Sequence, residues 1–270
     1  MHFLAFDHRE AFLELFGGDR ERVADAKDLV YEAACATPGV HGVLVDERTG
    51  ARTARRVRAD GKLALAMPVE RSGQQVFTFD FEDWRAHIDA FDPDVCKVLV
   101  RYRADGDAAA NAVQRERLKE LADALAPTRR AFLFELLVPG ASVDERPELA
   151  RRAMAECQEA GIEVDIWKLE GTPSLEAAAM LVQQARATGR EDVVCQVLGA
   201  GADAATVREW LAAAGATDGY AGFAIGRSIW QEPLEAWRDG AADRDETARR
   251  IAERCGGFIT AFEASRQATP

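Results

Sequence analysis

The chain has 270 residues, of which 48% are hydrophobic and 30% are charged, a composition typical of a globular protein with a large core. Its formal net charge of −12 at pH 7 comes without any basic stripe, which argues against nucleic acid and an anionic membrane as partners. No apolar run approaches the roughly 18 residues that cross a bilayer. The N-terminal segment also lacks the features of a signal peptide. We therefore expect a cytoplasmic protein.

Cysteine and histidine show no pattern that is typical of a metal site. The five cysteines include no C-x-x-C pair, and their odd number favours reduced thiols over a disulfide framework. The four histidines are scattered, and none lies at ligand spacing from another histidine or from a cysteine. The sequence therefore predicts no zinc site.

Short apolar runs recur along the chain, and most of them are followed by a stretch with helical spacing. Strands are predicted at residues 2–7, 41–46, 62–70, 94–102, 131–139, 164–171, 192–199 and 220–227. Helices are predicted at residues 20–36, 84–91, 108–126, 146–160, 174–187, 203–214 and 243–265. Residues 47–62 are interpreted as a polar loop, and residues 267–270 as a loose tail.

Continuously apolar strands that alternate with helices are typical of a parallel sheet covered on its outside. An open doubly wound sheet is one arrangement, but eight units in about 230 residues fit a closed barrel better. No linker rich in Pro, Gly or Ser divides the chain. Residues 1–266 are therefore predicted to form a single α/β domain, a (β/α)₈ TIM barrel. Its last helix, 243–265, either covers the barrel or makes a contact in a homo-oligomer.

In such a barrel the active site is built at the carboxyl ends of the strands. Ionisable side chains lie at most of these ends: Asp7, His8, Asp46, Glu47, Glu70, Lys97, Arg101, Glu135, Lys168 and Glu170. The last two strands end instead in glycine-rich segments, which contain Gly199, Ala200, Gly201, Ala202, Gly226 and Arg227. Barrel enzymes often bind phosphate there through backbone N–H groups and a helix N-terminus. Two tight turns with a solvent-facing arginine are the alternative.

Lysine is rare in this chain, because arginine supplies almost all of the positive charge. Lys27, Lys62 and Lys119 are interpreted as solvated charges. Lys97 and Lys168 instead interrupt apolar strands, where an ammonium is costly unless it is paired or loses its proton. Unlike a guanidinium, a primary amine can attack a carbonyl once burial or a second cation lowers its pKa. The two lysines together indicate a Schiff-base site, with structural ion pairs as the alternative.

Carboxylates at the strand ends are candidates for proton transfer. Glu135 lies among apolar residues, which predicts either an acid/base group whose pKa is raised by burial or a neutralising partner for a lysine. Asp7 either orients the lysines or a substrate hydroxyl, or is a loop carboxylate. Asp46 and Glu70 are weaker candidates, because acidic residues often follow barrel strands. Asp46 and His8 are counted among the candidate substrate contacts.

The order of six segments resembles that of a known family: AFDHR, CKVLVRY, FLFELLVP, DIWKLEG, LGAGAD and GFAIGRSIW. The family is that of the barrel aldolases typified by tagatose-1,6-bisphosphate aldolase and sulfofructose-phosphate aldolase. The chain is most similar to the aldolase-like domain fused to the sugar kinase of myo-inositol catabolism, from the first strand to Trp230. The resemblance implies a Schiff-base aldolase that takes a small sugar phosphate and needs no metal or other cofactor.

The resemblance also implies roles for individual residues. It implies that Lys168 forms the imine, that Glu135 shuttles protons and that Lys97 is the second active-site lysine. Asp7 matches the aspartate that closes the first strand. The glycine-rich segments after strands seven and eight match the phosphate-binding ends of those strands.

Two departures from the tagatose enzymes concern the substrate. Arg101 precedes Tyr102 where those enzymes carry tyrosines, and Gly199 replaces their phosphate-loop serine. The best-fitting substrate is 2-deoxy-5-keto-gluconate 6-phosphate, cleaved to dihydroxyacetone phosphate and malonate semialdehyde, with Arg101 binding the carboxylate. The alternatives are another sugar phosphate (tagatose bisphosphate, sulfofructose phosphate or deoxyribose phosphate) or a non-catalytic barrel that senses a sugar phosphate.

Overall fold

Eight parallel strands form one closed barrel in chain order, so the predicted (β/α)₈ fold is confirmed. The structure, a computed structural model, describes residues 1–187 and 189–268. The strands are β1 (His2–Ala5), β2 (Val40–Leu44), β3 (Ala64–Pro68), β4 (Val95–Arg101), β5 (Ala131–Leu137), β6 (Ile166–Glu170), β7 (Val194–Leu198) and β8 (Tyr220–Ile225). β8 pairs with β1 and closes the barrel.

The described residues also form ten helices, which alternate with the strands. They are α1 (Arg9–Leu15), α2 (Arg20–Ala36), α3 (Glu47–Asp60), α4 (Trp84–Phe91), α5 (Ala108–Leu125), α6 (Arg146–Glu159), α7 (Leu175–Ala185), α8 (Ala204–Gly215), α9 (Arg227–Arg238) and α10 (Arg244–Ala268). The short helices α1 and α9 directly follow β1 and β8 and were not predicted. None of the helices in the described ranges combines the length and apolar character of a membrane span.

The interpretation of residues 47–62 as a polar loop is wrong, because most of them form α3. Asp46 caps this helix by accepting a hydrogen bond from Thr49 N (2.8 Å), and Gly61 ends it at φ +58°. Its buried face consists largely of small residues such as Gly50 and Ala54, so the apolar period is weak in the sequence. Arginines on its other side pair with acidic residues of α2: Arg52 with Asp25 and Asp28, and Arg56 with Glu32.

The last helix covers the outside of the barrel. α10 packs against α2, α8 and α9, and its apolar side chains, including Ile251, Cys255 and Phe262, are buried there. It continues through Gln267 and Ala268, the first two residues of the segment expected to be a loose tail. The other two residues of that segment, 269 and 270, lie outside the described residues.

The barrel interior explains where the charged side chains meet. Inward positions of the strands are filled by Phe3, Ala5, Leu44, Ala66, Val95, Leu133, Ile166 and Ala224. Side chains alternate along a strand, so the second residue after each of these points inward one layer nearer the carboxyl ends. Lys97 follows Val95 in this way, and Lys168 follows Ile166. The barrel therefore brings strand-end charges together above an apolar floor.

Candidate active site

Two adjoining cavities open at the carboxyl ends of the strands. The larger, of about 460 Å³, adjoins the ends of β7 and β8 with Gly199–Gly201 and Gly226–Ser228, and we call it the β8 lobe. The smaller, of about 320 Å³, adjoins residues 70–74 after β3, and we call it the β3 lobe. Residues common to both form a shared wall: His8, Leu99, Arg101, Glu135, Lys168 and Arg227.

Lys168 lies in this shared wall and faces both lobes. Its Nζ is 2.8 Å from Oε1 of Glu135, and the side chain is 4% exposed. The two residues are neighbours because β5 and β6 pair in register at this level. The flanking Trp167 and Leu169 point outward and are buried in the core outside the barrel. The amine is therefore shielded from bulk water but open to a molecule in the cavity.

Lys97 is held by three carboxylates instead of one. Its Nζ lies 2.9 Å from Asp7, 2.8 Å from Glu70 and 3.0 Å from Glu135. Burial acts to lower the pKa of Lys97, but the three negative charges raise it well above its usual value. Lys97 therefore remains an ammonium whose charge is compensated locally. Glu135 bridges the two lysines with its two oxygens, one on each.

The prediction that burial raises the pKa of Glu135 is wrong. Burial does act to raise it, but the charges of Lys168 and Lys97 outweigh burial and lower the pKa of Glu135 below its usual value. The same competition, dominated by Lys97, lowers the pKa of Asp7. Both side chains are therefore carboxylates at neutral pH. Glu70 differs, because burial raises its pKa despite its contact with Lys97.

His8 and Arg101 complete the shared wall. Burial lowers the pKa of His8 to about 4, so its imidazole is neutral at neutral pH. Its ring lies edge-on to Trp230, with 5.6 Å between the centroids. Arg101 donates from Nη1 to the carbonyl oxygen of Gln74 (2.7 Å), which ties the end of β4 to the wall of the β3 lobe. Both predicted substrate contacts therefore face the cavity.

The glycine-rich segment after β7 forms a tight turn beside the β8 lobe. Ala202 N donates to the carbonyl oxygen of Gly199 (2.8 Å), and Ala200 and Gly201 both have positive φ, +49° and +74°. The Arg227 guanidinium lies against Gly201, where a Cβ atom would come within 2.5 Å of Nη2. Glycine at 201 therefore lets the arginine approach the turn.

The first turn of α9 is the second wall of the β8 lobe. α9 begins after Gly226, and no side chain of the described residues caps it, whereas Asp203 caps α8 by accepting from two backbone N–H groups. A Cβ at Gly226 would lie 2.2 Å from the carbonyl oxygen of Ala5, so only glycine fits there. Uncapped N–H groups and the helix dipole favour an anion at such an end. Most of the predicted phosphate residues therefore line this one cavity, but Ala202 lines neither lobe.

Asp46 does not belong to this site, contrary to expectation. It lines neither lobe; its side chain is fully buried, pairs with Lys27 and caps α3. Lys27 is not the solvated charge that was predicted, because it too is fully buried and donates to the carbonyl oxygen of Phe6 (2.9 Å). These contacts satisfy both groups, so the pair is structural.

Sequence reasoning underrated Glu70. It contacts Lys97 and lines the β3 lobe. Its position two residues after Pro68, whose backbone is in register with Lys97, is the signal that its side chain also points inward, one layer nearer the carboxyl ends. Buried Arg9 was missed entirely. It donates to the carbonyl oxygen of Glu70 (3.4 Å) and lies 3.4 Å from Asp80, which fixes the segment after β3.

Comparison with solved structures supports the fold. One similar structure is described as a Schiff base forming fructose-1,6-bisphosphate aldolase, with a TM-score of 0.63 and 19% identity over 93% of this chain and 92% of that chain. Another is an archaeal fructose 1,6-bisphosphate aldolase, with a TM-score of 0.61 and 18% identity over 95% of this chain and 93% of that chain. At these identities the likeness establishes a common fold.

No curated protein matches the chain. The sequence does match a family model over residues 1–266, which is nearly its whole length. The chain therefore belongs to the family described as uncharacterized protein conserved in bacteria (DUF2090).

Proposed function

We propose that the chain is a Schiff-base aldolase that cleaves or forms a C–C bond in a phosphorylated keto sugar acid. The observation that carries this proposal is the buried Lys168 amine, which faces two lobes and lies 2.8 Å from a carboxylate that also binds Lys97. The fold shared with a Schiff base forming aldolase supports it further.

The first stage of the proposed reaction joins Lys168 to the substrate. Glu135 accepts a proton from the Lys168 ammonium, and the free amine attacks the ketone to give a carbinolamine. Glu135 then returns the proton to the carbinolamine hydroxyl, which leaves as water. The product is an iminium that accepts the electron pair of the breaking C–C bond, so no free enolate forms. Lys97 remains charged and holds Glu135 against Lys168.

The β8 lobe is the proposed phosphate site. The turn at Gly199–Gly201, the uncapped start of α9 and the exposed Arg227 surround it. Backbone N–H groups and a guanidinium are suitable donors for phosphate oxygens. The binding energy of the phosphate, which takes no part in the bond change, is available to orient the ketone at Lys168.

The proposed substrate is 2-deoxy-5-keto-gluconate 6-phosphate, which gives dihydroxyacetone phosphate and malonate semialdehyde. Arg101 is the proposed partner of its carboxylate, because it lies in the shared wall and a guanidinium fork suits that group. Tagatose bisphosphate, sulfofructose phosphate and deoxyribose phosphate are the alternative substrates. A non-catalytic barrel that senses a sugar phosphate would not need a buried amine beside a proton acceptor.

A substrate panel tests this proposal. The purified chain, with EDTA present, is incubated with each phosphorylated keto sugar, and release of triose phosphate or aldehyde is measured. We expect the highest kcat/KM for the keto acid, and Arg101→Leu should raise its KM selectively. An unchanged KM in Arg101→Leu would remove the carboxylate assignment, and release from none of the substrates would contradict the aldolase proposal.

A further inference from the structure

Glu70 is a buried carboxyl group that the imine steps leave unused. Its Oε1 is 2.8 Å from Nζ of Lys97, and its side chain is 9% exposed. Its Oε2 is buried and has no hydrogen-bond partner among the described residues. A buried polar atom without a partner is costly, so such an atom in a cavity wall indicates a place for a ligand group.

The two glutamates on either side of Lys97 have pKa values shifted in opposite directions. Burial outweighs the opposing Lys97 and Arg9 charges and raises the pKa of Glu70, whereas for Glu135 the two lysines outweigh burial and lower it. The charged groups that face Glu70 are Lys97 on β4, Asp7 after β1 and Arg9 on α1. Environments that separate the pKa values of paired carboxyls commonly divide acid and base roles between them.

The position of Glu70 is fixed by its backbone. Arg9 donates to its carbonyl oxygen (3.4 Å), and the residue forms an antiparallel bridge with Phe79. Glu135 contacts Lys168 with one oxygen and Lys97 with the other. Its carboxylate therefore lies beside the Lys168 nitrogen that would form the imine. If the phosphate lies in the β8 lobe, as proposed, the other lobe beside Lys168 that is open to the far part of the substrate is the β3 lobe, which Glu70 lines.

We infer that Glu70 takes the hydroxyl proton when the C–C bond breaks and returns it when the bond forms, while Glu135 serves the imine nitrogen. This inference rests on the proposed function. In cleavage, the O–H bond of the hydroxyl two carbons from the imine carbon breaks, and the proton passes to Glu70. The O–H electron pair becomes part of the aldehyde C=O bond. The C–C pair moves toward the imine carbon and neutralises the iminium as an enamine, so no co-reactant is needed.

Glu70→Gln separates the two roles, because glutamine keeps the size and an acceptor for Lys97 but cannot accept the proton. We expect kcat for cleavage to fall on the order of 10²- to 10³-fold. Imine formation, measured by borohydride reduction with dihydroxyacetone phosphate and peptide mass analysis at Lys168, should stay at the level of the unsubstituted protein. The cleavage rate should also lose the part of its pH profile that rises as Glu70 loses its proton.

Asp7→Asn is the comparator, since it too removes one negative charge from Lys97. If Glu70 only holds Lys97, both variants should lose imine formation and cleavage together, and that result would overturn the inference. If Glu70→Gln does not fold, Glu70→Asp carries the test. Its misplaced carboxyl should lower cleavage about tenfold or more with imine trapping retained, and an unchanged cleavage rate would overturn the inference.

The two proposals fail in different ways. Absence of a trapped imine in the unsubstituted protein with every ketone offered would contradict the aldolase proposal itself. A trapped imine together with full cleavage in Glu70→Gln would contradict only the role assigned to Glu70.

Discussion

The described chain buries lysines in two places, and the two places differ in what lies over the amine. At the barrel mouth, Lys168 contacts one carboxylate and faces two lobes. Outside the barrel, Lys27 is fully buried: its Nζ binds Asp46 and the carbonyl oxygen of Phe6, and it lies 4.8 Å from the Phe12 ring centroid. Burial of a lysine therefore does not by itself indicate a reactive amine.

The two places also differ in how completely their charges are satisfied. Asp46 accepts from Lys27 and from the first turn of α3. At the mouth, one oxygen of Glu70 has no hydrogen-bond partner in the described part of the chain, and Lys168 has an open cavity beside it. A satisfied pair favours stability, whereas an incompletely satisfied cluster at a cavity favours binding and chemistry.

Lys168→Met should have the largest effect on activity. We expect C–C cleavage to fall on the order of 10⁴-fold or more, because no imine can form. The free energy of unfolding should change little, since Glu135 keeps Lys97 as a partner at 3.0 Å. Steady-state kinetics and urea unfolding measure both, with Lys119→Met on the exposed face of α5 as control. Cleavage at the original rate would contradict the account.

Lys27→Met should show the reverse pattern. The free energy of unfolding should fall by about 3–5 kcal/mol, because Asp46 would remain buried without its cation. The folded protein should keep its kcat, since Lys27 lines neither lobe. Urea unfolding combined with kinetics at low temperature separates the two effects. An unchanged free energy of unfolding would contradict the structural role assigned to the Lys27–Asp46 pair.

A buried histidine at the other end of the barrel should couple stability to pH. Burial lowers the pKa of His2 to about 4, so the folded state keeps it neutral where the unfolded state protonates it, near pH 6.5. Stability should therefore be lost as pH falls from about 6.5 toward 4, by on the order of 2 kcal/mol from this residue. Urea unfolding at pH 7 and 4.5 should show a smaller loss in His2→Gln. Equal losses in both proteins would contradict this.

Arg227→Met should have the smallest effect, because the side chain is exposed. We expect KM for a phosphorylated substrate to rise about tenfold, equivalent to about 1.4 kcal/mol, with kcat little changed. The same ketone without phosphate serves as the control, and its KM should not respond to the substitution. An equal rise for both substrates would place the phosphate elsewhere.

The fold and the central cluster could be predicted because strand ends converge in a closed barrel. The sequence named four residues of this cluster: Asp7, Lys97, Glu135 and Lys168. In the structure Lys97 forms ion pairs with Asp7 and Glu135, and Lys168 forms one with Glu135. What could not be predicted was set by tertiary contacts. The opposite pKa shift of Glu135 depends on two cations from different strands.

Asp46 shows how local structure overrides strand alternation. It follows inward Leu44 by two residues, as Asp7 follows Ala5, so its alternation also predicts an inward side chain. However, α3 begins at the next residue, and Asp46 caps it instead. Helix α3 is held in place by small buried residues and by ion pairs. The sequence analysis missed it because such residues give little apolar periodicity.

Borohydride reduction in the presence of dihydroxyacetone phosphate, followed by peptide mass analysis, tests the central claim most directly. The account predicts one covalent adduct on the peptide that contains Lys168, and no adduct in Lys168→Met. An adduct on Lys97 or Lys27 instead, or C–C cleavage that persists without any adduct, would contradict it.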